Sequence, residues 1–270
     1  SRERAPLSRR ASGRRMKKVQ IADRFVPVVV PASFALLWVL LPLLPGYDHA
    51  LFPTVAETLN ELLRICANGQ CVSDAGATLA RALAGFALAS VMGVSLGLVI
   101  GFHPRLMRAS SGTIDFFRSL PATAMFPLFL LLFGIGDGSK VAIAWFISVW
   151  VILVNAAYGA AYSAKTRSVL ARLYKTSRLN VFRHIVLMES LPQTSMGLRT
   201  ALPLALIAVV VSEMFIGSSS GLGQRIYDAY LTYEVATLYA WLIVTGLIGY
   251  GLNVLYTMIE RRALHWVGRA

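Results

Sequence analysis

The sequence predicts an all-α integral membrane protein with about six transmembrane helices, and two observations carry that prediction. Of the 270 residues, 56% are hydrophobic and only 14% are charged, whereas soluble domains carry roughly 25% charged residues. The chain also contains several apolar runs close to the ~20 residues that a helix needs to cross ~30 Å of hydrocarbon. A helix satisfies its own backbone hydrogen bonds in lipid, so these runs are predicted to be helical spans.

Five apolar runs are clear and a sixth is interrupted. The clear runs cover 25–45, 82–102, 141–161, 193–215 and 236–258. The sixth run, 116–134, contains Arg118, Pro121 and Pro127, and membrane helices tolerate proline when neighbouring groups satisfy the freed carbonyls. We therefore predict six spans in a membrane domain of residues 25–262, preceded by a tail at 1–24 and followed by a tail at 263–270.

Much of the net charge of +13 comes from basic residues in the N-terminal tail. Nine of the 26 basic residues lie in the first 24 positions, and a basic tail before a first span is retained in the cytoplasm. We expect this tail to be disordered at the anionic inner leaflet, which accounts for the charge without nucleic acid. A secretory signal peptide is disfavoured because the run 25–45 is too long and no cleavage site follows it.

The loops between the spans agree with this orientation. With the N-terminus inside, the basic segments 103–115, 162–190 and the C-terminus are cytoplasmic, and the acidic segments 46–77, 135–140 and 216–235 are external. Removing the interrupted third span would place the basic segment 162–190 outside. The charge pattern therefore favours six spans, with both termini in the cytoplasm.

The external segment 46–77 is predicted to contain a helix. Thr54 and Glu57 have the spacing of a capping box, and apolar residues follow at helical spacing from Val55. Cys66 and Cys71, the only cysteines, lie on either side of an Asn-Gly turn. In an oxidising exterior they could form a disulfide; two half-buried free thiols are the alternative.

The second span carries a stripe of small residues spaced four apart, which lets helix backbones approach closely in lipid. We predict that it is a packing face within the subunit. Its members are Gly85, Ala89, Gly93, Gly97 and Gly101.

Two glycine-rich stretches superficially resemble phosphate loops. They are "GIGDGSK" at 134–140 and "GSSSGLG" at 217–223. The first lacks the four-residue gap before its Gly-Lys, and both follow predicted membrane spans on the external side. A phosphate loop lies between a strand and a helix, so both stretches are interpreted as turns. The sequence also shows no cluster with metal-ligand spacing and no nucleophile paired with a base.

Ionisable residues inside membrane spans are candidates for function, and here they are few. Arg81 and Arg118 lie at span ends, Arg199 lies about two turns into the fifth predicted span, and Glu213 lies near its other end. A transporter driven by protons or sodium needs a buried carboxylate or histidine relay, and none is evident, so the energy to move a solute is expected to come from elsewhere. No repeated polar stripe supports a channel.

The segment "ARLYKTSRLNVFRHI", 171–185, is basic and amphipathic. Ser177 can cap a short helix that begins at Arg178. Leu179, Phe182 and Val186 would share one face of that helix, with basic residues on the others. Such a helix either enters an apolar groove on a partner protein or lies on anionic headgroups, and composition alone does not choose between them.

Residues 139–192 resemble the permease subunits of binding-protein-dependent ABC importers, most closely the nitrate, sulfonate, taurine and bicarbonate branch. The loop motif of that family is matched at Asn155, Gly159, Thr176–Arg178, Phe182–His184 and Leu191–Pro192. The stretches 81–101, 118–140 and 212–229 resemble the same branch, so the similarity covers roughly residues 50–262. The sequence departs from the motif at three places, within its triplet, at its glycine and at its usual proline. Val169-Leu170-Ala171 replaces its Glu-Ala-Ala triplet, Lys175 replaces its glycine, and Met188 replaces its usual proline.

The resemblance implies a multi-pass protein of the bacterial inner membrane that forms the path for a small solute, such as a sulfonate, taurine, nitrate or bicarbonate. It implies separate ATP-binding subunits that hold ATP and magnesium, an extracytoplasmic solute-binding protein, and a second permease subunit, with a second copy of this chain favoured. It assigns no cofactor or catalytic residue to this chain, and spans three to five are expected to line the path. The expected ATPase-docking residues are Ala171, Lys175, Ser177, Arg178, Leu179, Phe182 and Arg183.

Two other classes of function remain open. A membrane enzyme such as a headgroup transferase would need clustered carboxylates or histidines at a leaflet boundary, and the sequence contains none. A non-transporting scaffold would use the altered loop to hold a partner without coupling to ATP hydrolysis. Substrate-stimulated ATP hydrolysis by the assembled complex would exclude the scaffold.

Overall fold

A computed structural model describes residues 29, 32–43, 46–48, 51–173, 180, 182 and 186–266, with the backbone alone at 163–173. Every regular element among these residues is helical, which confirms the all-α prediction. Short 3₁₀ turns lie at Leu41–Leu43 and Ala122–Met125. The helices are α1 (32–40), α2 (Val55–Ala67), α3 (Gln70–Phe102), α4 (Pro104–Ser119), α5 (Phe126–Phe133), α6 (Asp137–Leu173), α7 (Leu187–Ile216), α8 (Leu222–Leu231) and α9 (Val235–Ala263).

The chain divides into two compact units, Ser1–Asn60 and Glu61–Ala270. In the first unit, the indole N–H of Trp38 donates to the carbonyl of Pro53 at 3.0 Å. The backbone N–H of Glu57 donates to Thr54 Oγ1 at 3.2 Å, and the N–H of Thr54 donates to Glu57 Oε2 at 2.7 Å. This reciprocal pair confirms the predicted capping box at the start of α2. The predicted tail at 1–24 lies outside the described residues.

Four described helices are long and apolar enough to cross a membrane: α3, residues Asp137–Tyr162 of α6, α7 and α9. A fifth crossing is possible by length and composition if α4 and the segment Ala122–Phe133 act as one bent span. The first predicted span, 25–45, lies partly outside the described residues. The observed helices therefore match four of the six predicted spans directly.

The third predicted span, 116–134, is wrong as a single continuous helix. The chain bends by 86° between α4 and the segment Ala122–Phe133. Leu120 is extended, with φ −70° and ψ 124°, because a residue that precedes proline is disfavoured in the helical region. Pro121 is also extended, with ψ 128°, so the helix ends at Ser119.

Two predicted loops are helical for most of their length. Residues 103–115 were expected to form a cytoplasmic loop, yet α4 begins at Pro104, the first helical position that proline favours. The backbone of α6 likewise continues to Leu173, well into the segment 162–190 that was expected to follow a span. Polar composition marked both segments as aqueous, but it does not stop a helix from continuing beyond an apolar run.

The second unit is built on close packing between α3 and α6. A Cβ atom placed on Gly97 would lie 2.5 Å from the carbonyl oxygen of Leu153, and one placed on Gly85 would lie 2.6 Å from Ala144 Cβ. These approaches allow only glycine, which confirms the predicted packing face within the subunit. The whole small-residue stripe is buried: Gly85, Ala89, Gly93, Gly97 and Gly101.

Candidate functional site

A row of buried polar side chains lies on one face of α3, near its first turns. Asp74, Thr78 and Arg81 are spaced four and three residues apart, so they project from the same side of the helix. Their exposed fractions are 1%, 0% and 7%. Buried charges need partners, and the partners of these side chains lie in α6, α7, α8 and the turn before α8.

Glu213, in the last turn of α7, is completely buried. Arg81 Nη1 donates to Glu213 Oε1 at 2.6 Å, and the N–H of Gly223 donates to Glu213 Oε2 at 2.9 Å. The hydroxyl of Thr78 lies 3.0 Å from both carboxylate oxygens and donates to one of them. The carboxylate therefore has a counter-ion and two further hydrogen-bond donors, as a buried charge requires.

The guanidinium of Arg81 joins three segments of the chain. Besides Glu213 on α7, its Nε donates to Asp137 Oδ1 at 2.7 Å, at the first residue of α6. Its Nη1 also donates to the carbonyl of Ser220 at 2.7 Å, in the turn between α7 and α8. A planar guanidinium with several fixed donors can bind several acceptors at once. The side chain of Arg81 thus joins α3 to the start of α6, the end of α7 and the turn before α8.

Asp74 fixes the turn that leads into α8. Its Oδ1 accepts from the N–H of Gly221 at 2.8 Å, and its Oδ2 accepts from Arg225 Nε at 2.8 Å. The N–H of Leu222 donates to Thr78 Oγ1 at 2.8 Å. The first donors of α8, which have no partner within the helix, are therefore satisfied by the polar face of α3.

Two glycines of the "GSSSGLG" stretch make this arrangement sterically possible. Gly221 has φ 132°, and a Cβ there would lie 2.5 Å from the carboxyl carbon of Glu213. A Cβ on Gly223 would collide with the backbone carbonyl of Val210. The interpretation of this stretch as a turn is confirmed, and its glycines are required because α8 lies directly on the buried carboxylate.

We call Asp74, Thr78, Arg81, Asp137, Glu213 and Arg225 the Arg81 network. Both carboxylate oxygens of Asp74 and of Glu213 accept at least one hydrogen bond. No three potential metal ligands come together in the described part of the chain. The network is therefore suited to hold helix ends in place rather than to bind a solute.

A second polar cluster joins α7 to α9. Ser195 Oγ donates to Glu260 Oε1 at 2.7 Å and lies 3.0 Å from the hydroxyl of Tyr256. Arg199 Nε lies 3.4 Å from Asn253 Oδ1, and Arg199 Nη1 lies 3.8 Å from Glu260 Oε2. The contacts of Ser195 with Glu260 and Tyr256 are close and largely buried. The contacts of Arg199 are long, and 47% of its side chain remains exposed.

Among the predicted docking residues, Phe182 is described with its side chain. It is half-buried, packs against the cluster of Leu98, Ala160 and Val186, and meets the ring of Phe102 edge-on at 5.3 Å. Ala171 lies in the backbone of α6. The other predicted docking positions, Lys175, Ser177, Arg178, Leu179 and Arg183, lie outside the described residues, so the predicted helix at Arg178 stays a prediction.

The two cysteines are not joined by a disulfide in this structure. Cys66 is exposed at the end of α2, and Cys71 is half-buried in the first turn of α3. Gly69, with φ 73°, makes the turn between the two helices. Their pairing in an oxidising compartment stays a prediction.

Sequence reasoning found single members of the Arg81 network but did not connect them. The sequence identifies Arg81 and Glu213 as ionisable residues at span ends, and Asp74 falls within the external segment 46–77 that is acidic. The spacing of Asp74, Thr78 and Arg81 on a single helical face could have indicated a buried polar face. Lys140 was also missed: its exposed fraction is 1%, and its Nζ donates to the carbonyls of Ile135 and Gly136 at 3.4 and 3.1 Å.

Fold and site together define a class: a multi-spanning membrane protein whose helix ends are joined by a buried ionic network. Residues 77–265 match the family described as binding-protein-dependent transport system inner membrane component. This chain therefore belongs to that family, as the motifs in its sequence indicated.

Curated relatives from several bacteria are similar over most of the chain. A permease protein of Bacillus subtilis (strain 168), provisionally named for aliphatic sulfonates transport, is 25% identical over 88% of this chain and 86% of its own length. A nitrate import permease protein of Leptolyngbya laminosa is 29% identical over 70% and 67%. A bicarbonate transport system permease protein of Synechococcus elongatus is 27% identical over 68% and 66%. These names support the branch that the motifs predicted.

A solved structure shares the fold. One chain of the MetNI methionine ABC transporter, in an inward-facing conformation, superposes with a TM-score of 0.63 at 19% identity, covering 75% of this chain and 98% of that chain. At this identity the comparison supports the helical architecture alone. The protein is thus an integral membrane permease with several apolar helices.

Proposed function

We propose that this chain is the membrane-spanning subunit of an ATP-driven importer that carries a small oxyanion. The observation that supports this most directly is the family match over residues 77–265. The names of the relatives supply the solute class: nitrate, bicarbonate and aliphatic sulfonates are all small anions with two or more equivalent oxygen atoms. The solute enters from an extracytoplasmic binding protein and crosses between this chain and a second permease subunit, which we propose is another copy.

The energy for transport comes from separate subunits that bind ATP and magnesium. An importer driven by protons or sodium needs a carboxylate or histidine that can exchange its ion within the membrane. In the described spans the buried carboxylate of Glu213 accepts from Arg81, Thr78 and Gly223, and that of Asp74 accepts from Gly221 and Arg225. The arrangement therefore favours ATP hydrolysis by a partner.

We propose that the segment around 171–187 contacts the ATP-binding subunit on the cytoplasmic side. Phe182 lies against Phe102 of α3, so movement of this segment would be passed to α3 through a packed aromatic pair. The remaining docking residues would face the partner: Ala171, Lys175, Ser177, Arg178, Leu179 and Arg183.

A non-transporting scaffold is the second candidate. It is favoured by the departures from the loop motif, where Val169-Leu170-Ala171 and Lys175 replace the residues that typify the family. Such a protein would still bind an ATP-binding subunit, but solute would not stimulate hydrolysis.

The test is purification of this chain from its native membrane in mild detergent, with its associated subunits identified by mass spectrometry. The recovered complex is then reconstituted, and ATP hydrolysis is measured with nitrate, ethanesulfonate or bicarbonate and the co-purified binding protein. Stimulated hydrolysis supports the importer. An associated ATPase whose hydrolysis no solute stimulates supports the scaffold, and the absence of any ATPase contradicts both.

A matched pair of variants locates the docking contact. Leu179→Asp places a charge on the apolar face predicted for the docking helix, and we expect it to release the ATPase subunit. Leu63→Asp, at an exposed position of α2, should leave the complex intact. Phe182→Asp is a poorer choice, because it would also disrupt the packing against Phe102.

A further inference from the structure

Arg199 is a half-exposed cation within a membrane-spanning helix, close to Glu260 in the last turn of α9. At 1.5 Å per residue it lies about 18 Å from Leu187, where α7 begins, and about 26 Å from Ile216, where α7 ends. Its side chain is 47% exposed. A charged side chain in a span is energetically costly and is retained where it meets a partner, water or a ligand.

The contacts of Arg199 leave much of its hydrogen-bonding capacity unused. Within the described part of the chain, the guanidinium donates one hydrogen bond, from Nε to Asn253 at 3.4 Å, which is beyond the usual range for a strong bond. Glu260 lies 3.8 Å from Nη1 and is itself held by Ser195 Oγ at 2.7 Å. Glu260 therefore orients the guanidinium without occupying all of its donors, of which an arginine has five.

The backbone at the same turn is also incompletely bonded. Pro203 lies inside α7, four residues after Arg199. Proline has no N–H, so it cannot donate to the carbonyl of Arg199 as a residue at that position normally would. A charged side chain and a proline interruption thus coincide at one turn, and non-ideal helical backbone within a membrane is tolerated where it faces protein or a water-filled path.

From these observations we infer that Arg199 and Asn253 form an oxyanion-binding site on the path through the permease. The free edge of the guanidinium can donate two parallel hydrogen bonds, which matches a small anion with two equivalent oxygens. The amide nitrogen of Asn253 supplies a further donor beside it. The inference rests on the proposed function for the identity of the ligand, which is the transported oxyanion.

The same chemistry would also bind the phosphate of a lipid headgroup. Guanidinium recognises phosphate and carboxylate-like oxyanions through the same paired donors, and α9 carries the exposed residues Arg261 and Arg262 in its last turn. The experiment therefore includes an arm for each source of the anion.

The test measures anion binding to the full-length protein, purified with whatever subunits accompany it. Thermal unfolding is followed with increasing sodium nitrate, sodium ethanesulfonate or sodium bicarbonate, and with sodium chloride as the control for ionic strength. Chloride has a single atom and cannot accept two parallel bonds. We expect at least one oxyanion to stabilise the wild type in a saturable manner beyond chloride, because a ligand that binds the folded state raises its stability.

The variants separate charge, geometry and folding. Arg199→Gln should raise the apparent dissociation constant at least about tenfold, as expected for loss of a charge-assisted contact. Arg199→Lys keeps the charge but loses the paired donors, and Asn253→Ala keeps the arginine, so both should weaken binding less. Arg64→Gln removes an exposed arginine outside the spans and should bind as the wild type does. If Arg199→Gln does not fold, the Lys and Ala variants decide the question.

The lipid arm uses nanodiscs of phosphatidylcholine with or without phosphatidylglycerol, and native mass spectrometry counts the lipid that the protein retains. Loss of phosphatidylglycerol in Arg199→Gln, without loss of small-anion binding, would assign the site to lipid phosphate. If Arg199→Gln binds the same oxyanions with the same affinity and retains the same lipid as the wild type, the inference is overturned. The same conclusion follows if the wild type binds no oxyanion and lipid retention is unchanged.

Uptake by intact cells distinguishes this inference from the proposed function. If wild-type cells import one of these anions but Arg199→Gln binds it normally, only the site is wrong. If the wild type imports none of them while Arg199→Gln still loses oxyanion or lipid binding, the proposed solute class is wrong and the site stands.

Discussion

At the scale of single residues, Glu213 shows how a charge can be kept inside an apolar protein. Its carboxylate is inaccessible to solvent, yet it accepts hydrogen bonds from Arg81, Thr78 and Gly223. Desolvating a charge costs several kcal/mol, and the cost is offset when a counter-ion and further donors are in place. Removing one member of such a pair leaves the other buried without compensation.

The substitution Glu213→Gln is therefore expected to destabilise the protein by about 3 kcal/mol, because Arg81 would keep its charge without its buried partner. The free energy of unfolding can be measured by denaturant titration in mixed micelles. Asp137→Asn is the control, since the Asp137 side chain binds the same arginine but is 69% exposed. We expect it to change stability by less than about 1 kcal/mol. Equal losses for the two variants would contradict a special role for the buried carboxylate.

At the scale of helices, α3 and α6 are held together by shape rather than by polarity. The small-residue stripe of α3 brings the two backbones so close that side chains cannot fit between them. In lipid, such close packing replaces the hydrophobic drive that brings helices together in water. The strength of this contact therefore depends on the absence of a single methyl group at each glycine.

The substitution Gly97→Ala should destabilise the protein by about 1–3 kcal/mol, the usual cost of overpacking, because its Cβ would lie 2.5 Å from the Leu153 carbonyl. Gly76→Ala is a matched change in the same helix. Apart from the adjoining backbone of α3, no atom of the described residues lies within 4 Å of the position that its Cβ would occupy. Alanine also has the higher helix propensity, so stability should stay equal or rise by up to about 1 kcal/mol. Thermal unfolding of both variants is measured in one detergent. If Gly76→Ala loses as much stability as Gly97→Ala does, close packing at Gly97 is not the cause of its effect.

The bend between α4 and α5 makes a further prediction at the scale of helices. If the bent pair crosses the membrane, as the charge pattern predicts, Gly112 in α4 is cytoplasmic and Gly136, before α6, is external. Single cysteines at these positions, in a background without Cys66 and Cys71, can be labelled with an impermeant maleimide on intact cells. We expect labelling at 136 and, at 112, labelling only after permeabilisation. Labelling of both from one side would show a re-entrant segment instead.

At the scale of the whole molecule, the placement of charged side chains bears on the proposed source of energy for transport. Charged side chains in the described spans are few, and the buried ones are paired in the Arg81 network or, for Lys140, bonded to backbone carbonyls. None is arranged to take up and release an ion during each cycle. This placement supports the proposal that partner subunits supply the energy for transport.

We therefore expect uptake to depend on ATP and not on a proton gradient. Proteoliposomes that contain the assembled complex and enclosed ATP should import the solute at an unchanged rate when a protonophore collapses the gradient. Omission of ATP, or its replacement by a non-hydrolysable analogue, should abolish uptake. A rate that falls with the gradient while ATP is maintained would show ion coupling, for which a carboxylate such as Asp137 would have to be reconsidered.

Much of this protein can be inferred without its structure, because local patterns report directly on local physics. The apolar runs predicted the long helices. A helix satisfies its own backbone hydrogen bonds in lipid, and about 20 apolar residues are needed for it to cross the hydrocarbon. The Thr54–Glu57 spacing predicted a capping box that the structure contains. The motifs of the loop segment predicted the family, which the match over residues 77–265 shows.

Tertiary structure alone decided which distant residues meet. Arg81 and Glu213 are 132 positions apart, and nothing in the neighbourhood of either along the chain states that α3 and α7 approach each other there. The same holds for Phe182, which packs on Phe102. The bend at Leu120, by contrast, has a local cause in the proline that follows it. Periodicity along the chain determines which face of a helix is apolar, whereas partners across the fold follow from how three or more helices pack together.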